Sequence, residues 1–340
     1  MTETSTPSPT STPAVGDVAL DVRGLEIEID VRRGDPLRPV RGISFSVRRG
    51  HRVGIVGESG SGKSLTALSL IRLLPARVRV AAGEVQLRGR ELTTLSEREM
   101  ASVRGGGLSL VYQDPMSSLN PLQTIGHQVV EAILTHERVG RREAHARAVE
   151  LLRDVGIPQP ERRADDYPHE FSGGMRQRVV IAMAICANPD VLIADEATTA
   201  LDVTTQARIM DMLARIVEER RMGMILITHD LGLAAAFCDD IHVMYAGRFV
   251  ESGSAQAVLG NPVHPYSAAL LESICRLDTD PRSPIAAIAG QPPLLQALPS
   301  GCPFHPRCVR ALDVCVTEEP PVVESMGQVF ECHHPIGVDA

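Results

Sequence analysis

The chain has 340 residues, a formal net charge of −8 and a pI of about 5.8. An acidic chain lacks the general basic surface with which nucleic-acid-binding proteins attract phosphate, so we expect no nucleic-acid partner. Hydrophobic residues make up 44% of the sequence. That content is enough for a large core, and the length favours one large domain with an appendage.

The first residues are predicted to form a disordered tail over 1–16, because 11 of the first 13 residues are Ser, Thr or Pro. The tail lacks a basic start followed by an apolar segment, so it does not resemble a secretory signal. The longest apolar run, 179–187, is too short to span a bilayer. We therefore expect a cytosolic chain, or one held at a membrane by its partners.

The first part of the chain predicts β-structure, since its apolar and β-branched residues alternate loosely. The predicted strands are 18–31 and 40–47, antiparallel and joined by a Gly-Asp-Pro turn at 34–36, followed by 53–56 and 83–87. Ser96 and Glu99 then fit a capping box at the start of a short helix.

The second part alternates apolar runs with helical patterns. Helices are predicted at 125–135 and 142–155, from the sequence around 171–175 to residue 186, from near Asp202 onward, and at 267–274. Apolar runs at 108–112, 191–194 and 224–228 predict buried strands, and 241–245 with 248–251 predict a hairpin. The helix after Asp202 carries an apolar stripe with helical spacing: Ile209, Met212, Leu213, Ile216 and Val217.

A glycine-rich segment lies between the strand 53–56 and a helical run that starts near Leu65. This order of strand, turn and helix is the context of a phosphate-binding loop. Glycines allow a tight turn whose backbone N–H groups approach an anion, and the helix dipole favours the same site. Lys63 is expected to reach the β- and γ-phosphates, and Ser64 to bind Mg²⁺. The loop reads Gly57, Glu58, Ser59, Gly60, Ser61, Gly62, Lys63, Ser64.

Four apolar runs end in the phosphate loop or in polar residues: Gln113, the pair Asp195-Glu196, and His229. Parallel strands meet their ligands at one carboxyl edge, so we expect these residues around one nucleotide. Asp195 fits the Walker B position, and Glu196 is placed to polarise the attacking water. Since adjacent carboxylates repel each other, this pair implies Mg²⁺.

Residues 17 to about 262 resemble the nucleotide-binding subunit of an ABC transporter. The segment 171–175 resembles the signature motif, and 200–202 resembles the D-loop. Gln113 resembles the Q-loop glutamine, and His229 the switch histidine. The resemblance implies an α/β P-loop NTPase fold with a mostly parallel core sheet, an antiparallel β subdomain and a helical subdomain at about 115–178.

The resemblance also implies two such domains that face each other head to tail. ATP then lies between the Walker motifs of one domain and the signature motif of the other. It assigns catalysis to Lys63, Gln113, Glu196 and His229, and Mg²⁺ binding to Ser64, Gln113 and Asp195. The ATP contacts that it implies are 57–65, which include the catalytic Lys63, together with Asp195, Ser172, Gly173, Gly174 and Asp202.

The cysteines fall into two groups. Cys186, Cys238 and Cys275 lie in apolar surroundings and are expected to be free buried thiols. The others, Cys302, Cys308, Cys315 and Cys332, have intervals of five, six and sixteen residues. Their spacing fits no common zinc or ferredoxin pattern and leaves zinc, an iron–sulfur cluster and plain thiols open.

Residues 263–340 resemble the C-terminal region of oligopeptide/dipeptide importer ATPases. The resemblance rests on 301–308, Cys315, Cys332-His333, 264–266 and 290–293. It implies a small, irregular cysteine-rich extension with a 4Fe–4S cluster held by the four C-terminal cysteines. If the metal is zinc, the possible substitute ligands are His305, His333 and His334.

The expected function is therefore an ATPase subunit that powers peptide import at the cytoplasmic face of a membrane. The resemblance implies two membrane permease subunits, a second and paralogous ATPase subunit, and an extracytoplasmic solute-binding protein as partners. The cargo stays open, since peptides, nickel and other solutes are carried by related systems. Two alternatives are a soluble ABC ATPase, such as an iron–sulfur assembly factor, and an exporter ATPase.

Overall fold

The computed structural model describes residues 17–32, 34–112, 114–198, 201–273 and 288–338, apart from the side chains of Pro115 and Met116. Several predictions fall wholly or partly outside the described residues: the disordered tail, the position of Gln113, Ala200 of the D-loop segment, the last residue of the helix predicted at 267–274, and the burial of Cys275.

The described strands form two sheets, one of four strands and one of eight. They are β1 (Val18–Ile29), β2 (Leu37–Arg48), β3 (Arg52–Val56), β4 (Val78–Leu87), β5 (Arg90–Glu91), β6 (Leu108–Val111), β7 (Val191–Asp195), β8 (Gly223–Thr228), β9 (Asp240–Tyr245), β10 (Arg248–Ser254), β11 (Val322–Ser325) and β12 (Gln328–Glu331).

The helices lie between and beside these strands. They are α1 (Lys63–Leu70), α2 (Glu97–Val103), α3 (Pro115–Ser118), α4 (Ile125–His136), α5 (Arg141–Asp154), α6 (Pro160–Arg163), α7 (Gly173–Ile185), α8 (Val203–Arg220), α9 (Leu231–Phe237), α10 (Ala255–Gly260), α11 (Pro265–Glu272) and α12 (Asp313–Thr317). Short 3₁₀ turns occur at Pro168–Glu170, Leu295–Ala297 and His305–Arg307.

The larger sheet brings to one edge the strand ends that lead to the glycine-rich loop, to Asp195 and to His229. In the described part of the chain its strand order is β11-β12-β10-β9-β3-β8-β7-β6. The five neighbouring strands β9, β3, β8, β7 and β6 are parallel to one another. The pairs β9–β10, β10–β12 and β12–β11 are antiparallel. All residues of β7 and β8 are buried, as expected for strands covered on both faces. The predicted set of buried parallel strands is confirmed.

The smaller sheet has the order β2-β1-β4-β5 and is antiparallel. It confirms the predicted antiparallel pairing of the first two strands. The second strand begins at Leu37 rather than at residue 40. Because β2 is at the edge of its sheet, the missing N–H of Pro39 costs no ladder hydrogen bond to a second neighbour.

The apolar stripe on α8 faces the core. Ile209, Leu213, Ile216 and Val217 are at most 1% exposed, and Met212 is 6% exposed. The predicted helix is confirmed. Its N-cap is Asp202, whose side chain accepts a hydrogen bond from the Thr205 N–H at 3.0 Å.

Within the described ranges, no helix combines the length and hydropathy that a bilayer crossing needs.

The C-terminal segment extends the larger sheet. β12 pairs with β10, with Glu251 opposite Phe330, and β11 pairs with β12. The fully buried Glu251 accepts hydrogen bonds from the backbone N–H groups of Val263 at 3.0 Å and His264 at 2.8 Å. It also accepts one from Gln328 Nε2 at 3.2 Å. This carboxylate therefore joins the start of the C-terminal segment, its last strand and the core sheet.

Candidate nucleotide site

The glycine-rich loop begins after Val56, the last residue of β3, and continues to Lys63, the first residue of α1. Gly62 has a φ of +113°, which side chains rarely adopt, and a Cβ there would lie 2.5 Å from Pro39 O. A Cβ on Gly57 would lie 2.1 Å from Met244 O. The loop can take this tight path only because these two positions are glycine.

Lys63 is folded back over the loop that precedes it. Its Nζ donates hydrogen bonds to Gly57 O at 2.6 Å and Glu58 O at 2.9 Å. Burial lowers the pKa of Lys63, and the negative charges of Glu196, Asp195 and Glu58 oppose that shift. The ammonium thus contacts the backbone carbonyl oxygens of the loop and lies within the field of three carboxylates.

Ser64 and Asp195 come together from different elements. The Ser64 hydroxyl, in the first turn of α1, donates to Asp195 Oδ1 at 3.2 Å at the end of β7. Burial raises the pKa of Asp195, and the neighbouring Glu196 raises it further, while Ser64 and Lys63 lower it. A hydroxyl and a carboxylate are hard oxygen ligands that suit Mg²⁺. The donor set therefore fits the predicted cation.

Glu196 and His229 face each other across neighbouring strands. Glu196 follows β7, His229 follows β8, and His229 Nδ1 lies 3.4 Å from Glu196 Oε1. Glu196 has a φ of +47°, an uncommon conformation for a side-chain-bearing residue. Both residues line a cavity together with Thr228 and Gln206. A carboxylate beside an imidazole in a solvent-accessible cavity can accept a proton from water.

The signature residues lie at a different place, where α7 and α8 begin. Ser172 caps α7 by accepting a hydrogen bond from the Met175 N–H at 3.4 Å. A Cβ on Gly174 would lie 2.5 Å from Thr205 Cγ2, so the two helix starts are close together. Among the described residues, no hydrogen bond or ion pair joins Ser172, 173–174 or Asp202 to the loop 57–64. The chain therefore brings Lys63, Ser64, Asp195, Glu196 and His229 into one site and leaves the signature residues apart from it.

The four C-terminal cysteines line one cavity, together with His305, His333 and His334. All four are free thiols. Burial raises the pKa of Cys302, Cys308 and Cys332 in the metal-free chain. In the described part of the chain, no group of three or more His, Cys, Asp or Glu side chains is arranged so that it could hold a metal ion. The structure thus gathers the four cysteines around one space, in an arrangement that is not that of a preformed metal site among the described residues.

Two further side chains contact the glycine-rich loop, and no local sequence pattern indicated them. Arg307 forms an ion pair with the Glu58 carboxylate, and the Tyr266 hydroxyl accepts a hydrogen bond from the Glu58 N–H. Both belong to the C-terminal segment, which is more than 200 positions away in sequence. Only the fold could reveal these contacts.

Comparisons with known proteins agree with this geometry. A family model described as ABC transporter matches residues 40–199, and one described as oligopeptide/dipeptide transporter, C-terminal region, matches residues 250–315. The oligopeptide transport ATP-binding protein OppD of Salmonella typhimurium is 45% identical over 96% of this chain and 97% of its own. The dipeptide transport ATP-binding protein DppD of Escherichia coli is 44% identical over 91% of this chain and 95% of its own.

Solved structures show the same fold. A dimeric bacterial ABC transporter cassette matches with a TM-score of 0.62 and 26% identity, over 69% of this chain and 98% of that one. A dimeric post-hydrolysis state of an ATP-binding cassette with bound ADP and Pi matches over the same shares with a TM-score of 0.61 and 26% identity. The predicted ABC-type α/β fold is confirmed. The chain therefore belongs to the ABC transporter ATPases, in the family of the ATP-binding subunits of oligopeptide and dipeptide transporters.

Proposed function

We propose that this chain is the ATP-hydrolysing subunit that powers peptide import through a membrane permease. The observation that carries the proposal is the convergence of Lys63, Ser64, Asp195, Glu196 and His229 at one sheet edge. The names of its relatives, which are oligopeptide and dipeptide transport ATP-binding proteins, support peptides as the cargo. They do not favour the alternative of a soluble iron–sulfur assembly factor.

Each side chain has a separate role in this proposal. Lys63 exchanges the loop carbonyls for the β- and γ-phosphates. Ser64 and Asp195 would hold Mg²⁺, which would neutralise charge on the phosphates. Glu196 accepts a proton from the water that attacks the γ-phosphorus, and His229 orients that water and the phosphate. The P–O bond to ADP then breaks, and phosphate leaves. On the resemblance alone, Gln113 is assigned as a further Mg²⁺ ligand.

A partner ATPase subunit supplies the other half of the site. Ser172, Gly173 and Gly174 present a hydroxyl and helix N-terminal amides, which are suited to phosphate. The separation of these residues and Asp202 from the loop of the same chain is what a head-to-tail dimer requires. The dimeric state of two structural relatives supports this arrangement. ATP then stabilises the closed dimer, and hydrolysis releases it.

The remaining partners follow from the family. We propose two membrane permease subunits and an extracytoplasmic solute-binding protein, with this chain peripheral at the cytoplasmic face of the membrane. The test is reconstitution of the five-part complex in lipid vesicles with a labelled peptide inside the binding-protein compartment. We expect transport only when Mg·ATP is supplied to the nucleotide side, and none with a non-hydrolysable analogue. A chain that purifies with soluble scaffold proteins and gives no peptide transport with the permease would contradict the proposal.

We further propose that the cysteine cavity binds the 4Fe–4S cluster implied by the family. Four free thiols around one space are the donor set that such a cluster uses, and binding would require them to close on it as thiolates. We expect anaerobically purified protein to contain iron and acid-labile sulfide in equal amounts, about four of each per chain. The Cys302→Ser variant should lose both, whereas Cys186→Ser, which changes a buried cysteine outside the cavity, should keep them. Zinc alone, or no metal in the anaerobic protein, would refute the cluster.

A further inference from the structure

The second residue of the phosphate loop is held from the C-terminal segment. Arg307 Nη1 donates to Glu58 Oε2 at 2.6 Å, and Arg307 Nη2 donates to Glu58 Oε1 at 2.9 Å. This is a two-pronged guanidinium–carboxylate pair, the strongest common form of side-chain ion pair. The Arg307 side chain is 4% exposed and that of Glu58 25%, so water screens the pair only partly.

The backbone of Glu58 is held from the same direction. Its N–H donates to the Tyr266 hydroxyl at 2.9 Å. The Tyr266 ring packs against Tyr245 and Phe304, with ring centres 4.6 and 5.3 Å apart, and Phe304 is 2% exposed. Ring centres at these separations are typical of favourable aromatic pairs. The hydroxyl that accepts from the Glu58 N–H therefore belongs to a packed aromatic cluster, and the C-terminal segment contributes two of its three rings.

Arg307 itself has little freedom to move. Its Nε donates to Ala289 O at 2.9 Å, and its Nη1 lies 3.4 Å from the Tyr245 hydroxyl. Its hydrogen bonds to Glu58 raise the pKa of Arg307, so the guanidinium stays charged at all physiological pH values. Arg307 ends the 3₁₀ turn that precedes Cys308, and thus connects the cysteine cavity to the loop.

The same residue, Glu58, also accepts a hydrogen bond from Lys63. Lys63 Nζ contacts the Glu58 carbonyl at 2.9 Å, while Arg307 and Tyr266 contact its carboxylate and amide. When Lys63 turns to the phosphates, the loop loses that internal contact. The contacts of Arg307 and Tyr266 with Glu58 then supply a larger share of the interactions that hold the loop in its conformation.

We propose that Arg307 is a positioning residue for ATP: by clamping Glu58, the C-terminal segment keeps the phosphate loop in the conformation that binds the β- and γ-phosphates. The inference rests on the proposed function, because it assumes that the loop binds ATP. It gives the cysteine-rich segment a direct mechanical connection to the nucleotide, through a residue that does not touch the nucleotide itself.

The test compares Arg307→Met, Glu58→Gln and the double variant in the assembled complex. Each single variant should raise the KM for ATP about tenfold, the size expected for loss of a charged hydrogen-bonded pair, with kcat changed less than about twofold. The double variant should be no worse than either single variant, because both remove the same contact. Arg307→Lys keeps the positive charge but loses the two-pronged hydrogen bond to the carboxylate, so its KM for ATP should lie between those of the wild type and Arg307→Met.

The matched control is Arg310→Met, since Arg310 is in the same segment and contacts His334 rather than the loop. It should leave the KM for ATP unchanged. Thermal unfolding of every variant separates misfolding from an effect on the loop. If Arg307→Met unfolds early, Arg307→Lys takes its place in the cycle. An unchanged KM in Arg307→Met, or effects that add in the double variant, would overturn the inference while leaving the proposed function intact. A wild-type complex that binds no ATP would instead refute the proposed function.

Discussion

Replacing Glu196 by Gln should lower ATP hydrolysis by about 10²–10⁴-fold, the usual contribution of a general base. The amide keeps the size and shape of the side chain, so the contact with His229 and the path of the backbone at φ +47° should survive. Proton acceptance from water is lost. ATP binding should persist, and the two ATPase subunits should stay closed around ATP. Phosphate release by the assembled complex and retention of labelled ATP measure the two effects, and Glu196→Ala should behave in the same way.

The control for this prediction is Glu218→Gln, the same chemical change on an exposed face of α8. It should hydrolyse ATP at the wild-type rate. Near-normal hydrolysis by the Glu196→Gln complex would remove Glu196 from its proposed role. A loss of ATP binding along with hydrolysis would point instead to a structural role for Glu196 at the end of β7.

The nucleotide site was predictable from sequence because its parts come from short local patterns. Each of β3, β7 and β8 contains an unbroken apolar run, and the parallel register places the residues that follow each run at the carboxyl edge. Because β7 and β8 are neighbours, the strand order places Glu196 beside His229. β8 lies between β3 and β7, so the contact of Ser64 with Asp195 also depends on where the loop and α1 lie after β3.

The contacts of the C-terminal segment were not predictable in this way. Arg307 and Glu58 are 249 positions apart, and neither has a periodic or spaced partner that would reveal the pair. The hairpin of β11 and β12 was also missed, although Met326 and Gly327 have φ values of +53° and +73°, as in a tight hairpin turn. A methionine at such a position is a weak turn signal, and strands this short carry little alternation.

Spacing also has limits for the cysteines. The intervals between the four residues left zinc, iron–sulfur and free thiols open, and the fold resolves only part of that question. It places all four around one cavity. Glu251 anchors the C-terminal segment to β10, and Arg307 anchors it to the phosphate loop. Neither contact can be inferred from the spacing of the cysteines.

Replacing Lys63 by Met should weaken Mg·ATP binding by at least about 100-fold, since charged hydrogen bonds are worth about 1.5–3 kcal/mol each and Lys63 is placed to make more than one. Lys63 is the only lysine in the 340-residue chain. It is 4% exposed, and its Nζ satisfies the carbonyl oxygens of Gly57 and Glu58. Calorimetric titration with Mg·ATP measures the loss of affinity.

The single lysine also allows a chemical test on the unaltered protein. An ATP analogue that carries an acyl group on its terminal phosphate transfers that acyl group to a nearby amine, with release of ATP. We expect the label on Lys63, located by peptide mapping, and protection by excess Mg·ATP. Arg72→Met, which changes a cation shortly after α1, should retain both binding and labelling. Full ATP affinity in Lys63→Met, or a label that is absent from Lys63, would show that the phosphates bind elsewhere, because Lys63 carries the only side-chain amine in the sequence.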